Sequence, residues 1–144
     1  MGKLEAAVHG RRGDGRLTKA TWAPNRSVFL RVLCEIHHVT AEIDRSLPFP
    51  GLFRIGAGVN TGIAVLGGTY YTALGDTVNV AMRLEAATKT TGLSVVLGES
   101  SYQALVVPPP LPFQRVEVKV KGHDEPVPAR GISFPDLKGV PRPD

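Results

Sequence analysis

Sixteen glycines and twelve prolines punctuate this chain of 144 residues, yet none falls between residues 78 and 88. Gly75 ends the strand-like run before that stretch, and Asp76 or Thr77 can cap a helix by accepting a hydrogen bond from a first-turn amide. Ala81, Met82, Leu84, Ala86 and Ala87 favour helix, and Gly92 supplies a stop. Residues four apart share a helix face, so Asn79 and Arg83 make one polar row. Val78 and Met82 flank it on one side, Val80 and Leu84 on the other. Such a row is either a solvated stripe or a fixed amide and guanidinium facing an anionic ligand.

The rest of the chain reads as alternating short elements. Residues 1–26, rich in Gly and charge, show no clear period and read as an irregular segment or a remnant hairpin. After Pro24, apolar Val28, Val32, Ile36, Val39 and Ile43 recur at amphipathic-helix spacing. "LFRIGAGVN" reads as a strand and "GIAVLGG" as a second strand or its continuation. "LSVVLG" reads as a buried strand and "ESSYQAL" as a short helix. In "RVEVKVKG", Val116, Val118 and Val120 alternate with Glu117, Lys119 and Lys121, the pattern of a half-buried antiparallel strand. "EPVPARGI" is its expected hairpin partner, confined to an edge by its prolines. The expected domain spans residues 27–133, with a Pro-rich tail over 134–144. The order implies an α+β fold with helices packed on an antiparallel sheet.

Composition narrows the functional classes. An apolar fraction of 42% fits one globular domain. No run approaches the length of a membrane span, and the first residues lack the apolar core of a secretion signal, so a cytoplasmic location with no membrane partner is expected. The single Cys34 excludes an internal disulfide and reads as a small core residue. A net charge of +4 suits anionic partners. The basic N-terminal segment lacks the aromatic interleaving of a nucleic-acid binder, which places that class last. His37 and His38 are adjacent and point to different helix faces, a poor metal pair. No P-loop, HExxH or zinc-type Cys pattern is present.

The run "GDTVNVAMRLEAATKTTG" resembles the signature helix of class III nucleotidyl cyclases, the adenylate and guanylate cyclases. "FRIGAGVNTG", "LSVVLGESSYQAL" and "VEVKVKGHDEPVPARGI" extend the resemblance, in family order, over the last two thirds of the chain. The resemblance implies a ferredoxin-like cyclase fold, truncated at its N-terminus, and a purine nucleoside triphosphate as substrate. It implies Mg²⁺ or Mn²⁺ held by two aspartates, and a site shared between two subunits, either a homodimer or a heterodimer with a complete cyclase subunit. By that likeness Asn79 would orient the ribose, Arg83 would neutralise charge at the α-phosphate, Lys121 would meet the terminal phosphates and Thr72 would read the base. Thr72 tilts the substrate towards ATP.

The departures matter equally. The family's opening strand, with its first metal aspartate in a Phe-x-Asp motif, is absent. "GDG" at residues 13–15 makes Asp14 the candidate for the second. Gly10 stands where the family often has a base-reading lysine. The chain reads as an incomplete cyclase domain, inactive or weakly active alone. The alternative is a non-catalytic dimerisation or regulatory module that keeps the fold.

Overall fold

The computed structural model describes residues 4–11, 17–19, 28–51, 54–67, 72–105 and 111–139. A mixed sheet runs through the molecule. Strand β1 (Leu4–Arg11) pairs antiparallel with β2 (Leu17–Lys19) and parallel with β3 (Ala57–Gly67). β3 also pairs antiparallel with β4 (Thr72–Leu74) and parallel with β5 (Val95–Gly98). β7 (Val127–Ile132) lies between β5 and β6 (Gln114–Val118), antiparallel to both. The order across the sheet is β2-β1-β3-β5-β7-β6, with β4 paired to β3 alongside this path.

The expectation of an antiparallel sheet is therefore corrected at its centre. Helix α1 (Val28–Ser46) lies between β1 and β3 in the chain, and α2 (Asp76–Thr91) lies between β4 and β5. A helical crossover returns the chain to the end where it started, which makes the joined strands parallel. The strand readings "LFRIGAGVN" and "GIAVLGG" merge into the single strand β3.

The side-chain alternation of β5 divides the core into two layers. Val95 and Leu97 face a cluster with Leu30 and Leu33 of α1, and with Ala57, Val59 and Ile132. Val96 faces the opposite way, towards Val80 and Leu84 of α2, with Leu93, Val118, Val120 and Ala129. Helices thus cover both faces. Helix α3 (Glu99–Gln103) joins the α1 side through Tyr102, whose ring lies edge-on to Phe113 at 5.1 Å.

Two local readings change. α1 forms where expected, but it packs through Leu30 and Leu33, while Val32, Val39 and Ile43 of the apolar stripe stay 44–51% exposed. The tail expected from residue 134 opens with a 3-10 helix (Phe134–Gly139) whose Phe134 and Leu137 are buried in the α1 cluster. Phe134 stacks on His37 with ring centroids 4.3 Å apart. Cys34 packs against this same cluster, partly buried.

The prolines of residues 126–128 do not put β7 at the edge. β5 pairs with β7 only over residues 129–132, so at Pro128 one side of the strand is free, and the missing N–H can face it. β6 is the outer strand. Among the described residues, no helix is long and apolar enough to cross a membrane.

Candidate functional site

The site rests on how closely α2 lies on β3. Gly58 faces the helix with no side chain, and a Cβ there would collide with the Ala81 carbonyl and the Glu85 amide. Val80, Ala81 and Leu84 are at most 4% exposed and make the contact surface. Two hydrogen bonds fix the helix's entry. The buried Asn60 donates through Nδ2 to the Thr77 carbonyl at 3.1 Å, and Thr77 Oγ1 donates to the Ile63 carbonyl at 2.6 Å.

Neither expected capping side chain caps the helix. Gly75 holds the N-cap position without a side-chain bond, and Thr77 is engaged with β3. The Asp76 carboxylate meets His123 Nε2 at 3.0 and 3.2 Å. At the other end Gly92, with φ +72°, stops the helix in the left-handed conformation that glycine adopts without strain.

With its opposite face held down, α2 presents Asn79 and Arg83 outward. They line a surface groove of about 490 Å³ with Lys121, which arrives from the turn between β6 and β7. Met82, Glu85, Ala86, Lys89 and Val120 complete the lining. Arg83 and Ala86 also line an adjoining hollow of about 270 Å³ that continues along β6 past Lys119 and Glu117.

Charge in the groove is lopsided. Arg83, Lys89 and Lys121 bring three cations against the single carboxylate of Glu85. Glu85 is itself 4% exposed and lies 3.8 Å from the Lys89 ammonium, which offsets part of its charge. Among the described residues no carboxylate pairs with Arg83 or Lys121. Two unpaired cations beside an amide side chain form a surface suited to a polyanion, because guanidinium and ammonium donors both take phosphate oxygens.

The structure brings together three of the five residues the sequence singles out: Asn79, Arg83 and Lys121. Thr72 is the first residue of β4, opposite Gly67, and is placed by its backbone alone. Asp14 lies outside the described residues. Among those described, no group of three or more His, Cys, Asp or Glu side chains could hold a metal ion. Glu85, Lys89 and the His123–Asp76 contact were not legible as site features. The i,i+4 spacing of Glu85 and Lys89 was a usable signal, whereas the 47 residues between Asp76 and His123 hide that pairing.

The structure thus defines an α+β domain with a basic, open groove between α2 and the β6–β7 turn. No protein-family profile matches the chain. A curated protein named adenylate cyclase, from Anabaena cylindrica, is 38% identical over 85 residues, covering 52% of this chain and 17% of that protein. The chain is related to that protein over about half of its own length and spans less than a fifth of the relative's.

Proposed function

We propose that this chain is a class III nucleotidyl cyclase homology domain of ferredoxin-like type, whose groove binds a purine nucleoside triphosphate, ATP in preference to GTP. The observation that carries the reading is the convergence of Asn79, Arg83 and Lys121 on one groove from two elements some forty residues apart in sequence. The relative's name, adenylate cyclase, supports the same reaction class.

In that reaction the ribose 3′-hydroxyl attacks the α-phosphate in line and pyrophosphate leaves, so positioning and charge stabilisation dominate. Asn79 holds the ribose. Arg83, one helical turn further, donates its planar pair of N–H groups to the α-phosphate as charge grows there. Lys121 takes the terminal phosphates and draws off charge from the departing pyrophosphate. Thr72 is the base-reading residue, a type whose hydroxyl both donates to and accepts from a purine edge.

Among the described residues no group of three or more His, Cys, Asp or Glu side chains gathers at the groove, and its one carboxylate, Glu85, lies 3.8 Å from the Lys89 ammonium. A partner subunit with both aspartates, or Asp14 with such a partner, would supply the Mg²⁺ or Mn²⁺. The family's opening motif with its first metal aspartate is absent from the sequence, so the chain alone is expected to make little or no cyclic nucleotide.

Complementation tests the reading. The chain is mixed with a cyclase subunit that keeps its metal aspartates but has its own signature-helix arginine changed to Ala. Cyclic nucleotide production should return, and Arg83→Ala in this chain should lower it roughly 10²–10³-fold, the scale for losing one transition-state charge donor. No rescue in any mixture, with no nucleotide binding by calorimetry, would leave the non-catalytic dimerisation or regulatory module as the function.

A further inference from the structure

Lys121 is exposed, and a lysine on a loose turn binds phosphate poorly, because its long side chain and backbone must both be ordered on binding. The turn that carries it is not loose. The His123 amide donates to the Val120 carbonyl at 3.1 Å, closing a β-turn with Lys121 and Gly122 at its centre. Gly122, at the third position of the turn, has φ +90°, a conformation that glycine adopts without strain. On one shoulder of the turn Val120 is 6% exposed and packs in the α2 cluster. On the other, His123 Nε2 reaches Asp76 Oδ1 at 3.0 Å and Oδ2 at 3.2 Å, in the first turn of α2. Lys121 is bracketed by a buried anchor and a polar one.

Asp76 begins the helix that carries Asn79 and Arg83, so the contact joins the two elements that build the groove. We propose that His123 and Asp76 form a clamp that fixes the β6–β7 turn against the start of α2 and holds the Lys121 ammonium over the groove as a phosphate-binding group. His123 is then a positioning residue, acting through Lys121. The inference rests on the reading of the groove as a triphosphate site.

Calorimetry on the full chain with inorganic tripolyphosphate, ATP and AMP, without added metal, tests it. His123→Ala and Asp76→Asn should each weaken tripolyphosphate and ATP about three- to fivefold, the span of one side-chain hydrogen bond. AMP, which lacks the terminal phosphates, should bind as it does to the unaltered chain. In a Lys121→Ala background His123→Ala should cost nothing further, and His123→Arg should restore affinity by pairing again with Asp76. Hydrogen exchange at residues 121–124 gives a readout that needs no ligand: it should quicken in His123→Ala. Unchanged exchange overturns the clamp. So does equal triphosphate binding by His123→Ala and the unaltered chain, or a further loss in the Lys121→Ala background. If the unaltered chain binds none of the three ligands, the triphosphate reading falls, and with it the phosphate role of Lys121, while exchange alone decides whether the clamp exists.

Discussion

The two faces of the sheet are built from similar residues and do different work. On the α1 face, Leu30, Leu33, Val95, Leu97, Ile132 and Leu137 are at most 2% exposed, and the terminal 3-10 helix closes over them. Its polar contacts face inward or bind neighbours: Glu99 and Arg130 form a two-pronged pair at 2.9 and 3.1 Å, and Arg130 lies 4.7 Å above the Tyr102 ring. On the α2 face the apolar layer is thinner. It is pressed close by a strand glycine, and the polar side chains of the helix are left open to a groove. The Arg130–Glu99 pair ties β7 to α3 on the α1 face. A face whose cations are unsatisfied is available to a ligand.

The largest expected effects separate these roles. Leu33→Ala and Leu84→Ala each remove a fully buried side chain and should destabilise by about 2–5 kcal/mol in denaturant unfolding. Only Leu84→Ala, on the helix that presents Asn79 and Arg83, should also weaken ATP binding in calorimetry at temperatures where both variants stay folded. Equal loss of binding in the two would erase the distinction between the faces.

Gly58→Ala comes next. The added methyl meets helix backbone, which cannot turn aside as a side chain would, so a loss of about 1–3 kcal/mol is expected in thermal unfolding. Neutral behaviour would mean that α2 can lift from β3 without cost.

A smaller effect depends on pH. Hydrogen bonding from the Arg130 guanidinium holds the Glu99 carboxyl below the usual carboxylate range, against the opposing pull of desolvation. A depressed folded-state value means that the pair stabilises the fold above the unfolded carboxyl pKa of about 4.3. That contribution is lost as pH falls through the lower, folded value. Glu99→Gln should therefore lower the melting temperature at neutral pH, and the gap should close in acid. A gap that persists at pH 2 would place the effect in packing instead.

The smallest effect belongs to the outer stripe of α1. Val39→Lys, at a position 51% exposed, should change stability by no more than about 0.5 kcal/mol in either direction.

That stripe also shows where sequence reading failed. Val32, Val39 and Ile43 keep perfect helical spacing, and periodicity identifies the helix but not which of two apolar arcs meets the sheet. Leu30 and Leu33 take the buried arc because Phe134 and Leu137 come round to cover them, over a hundred residues later in the chain, and Phe134 also stacks on His37. The site was more legible. Asn79 and Arg83 are joined by local helix geometry, which spacing reports directly. Lys121 was expected at the end of an alternating strand; β6 stops at Val118, and Lys121 instead sits in the turn that follows the buried Val118 and Val120. What no spacing reports is tertiary choice, such as Thr77 bonding to β3 rather than capping its own helix, or Asp76 meeting His123. The likeness to cyclases named the groove's residues, and the geometry gathered three of them.

The N-terminal hairpin has a consequence for how the molecule is made. β1 runs beside β3 over residues 57–65, nearly the whole of that eleven-residue strand, although some fifty residues separate the two in sequence. Pairings of such long range form late, since the loop between them must close first. Until β1 docks, β3 presents a bare row of amides and carbonyls, a ready template for a neighbouring molecule's strand. A chain shortened past residue 19 would keep that edge open permanently. The hairpin thus covers an edge of β3 that would otherwise stand open to pairing with another strand.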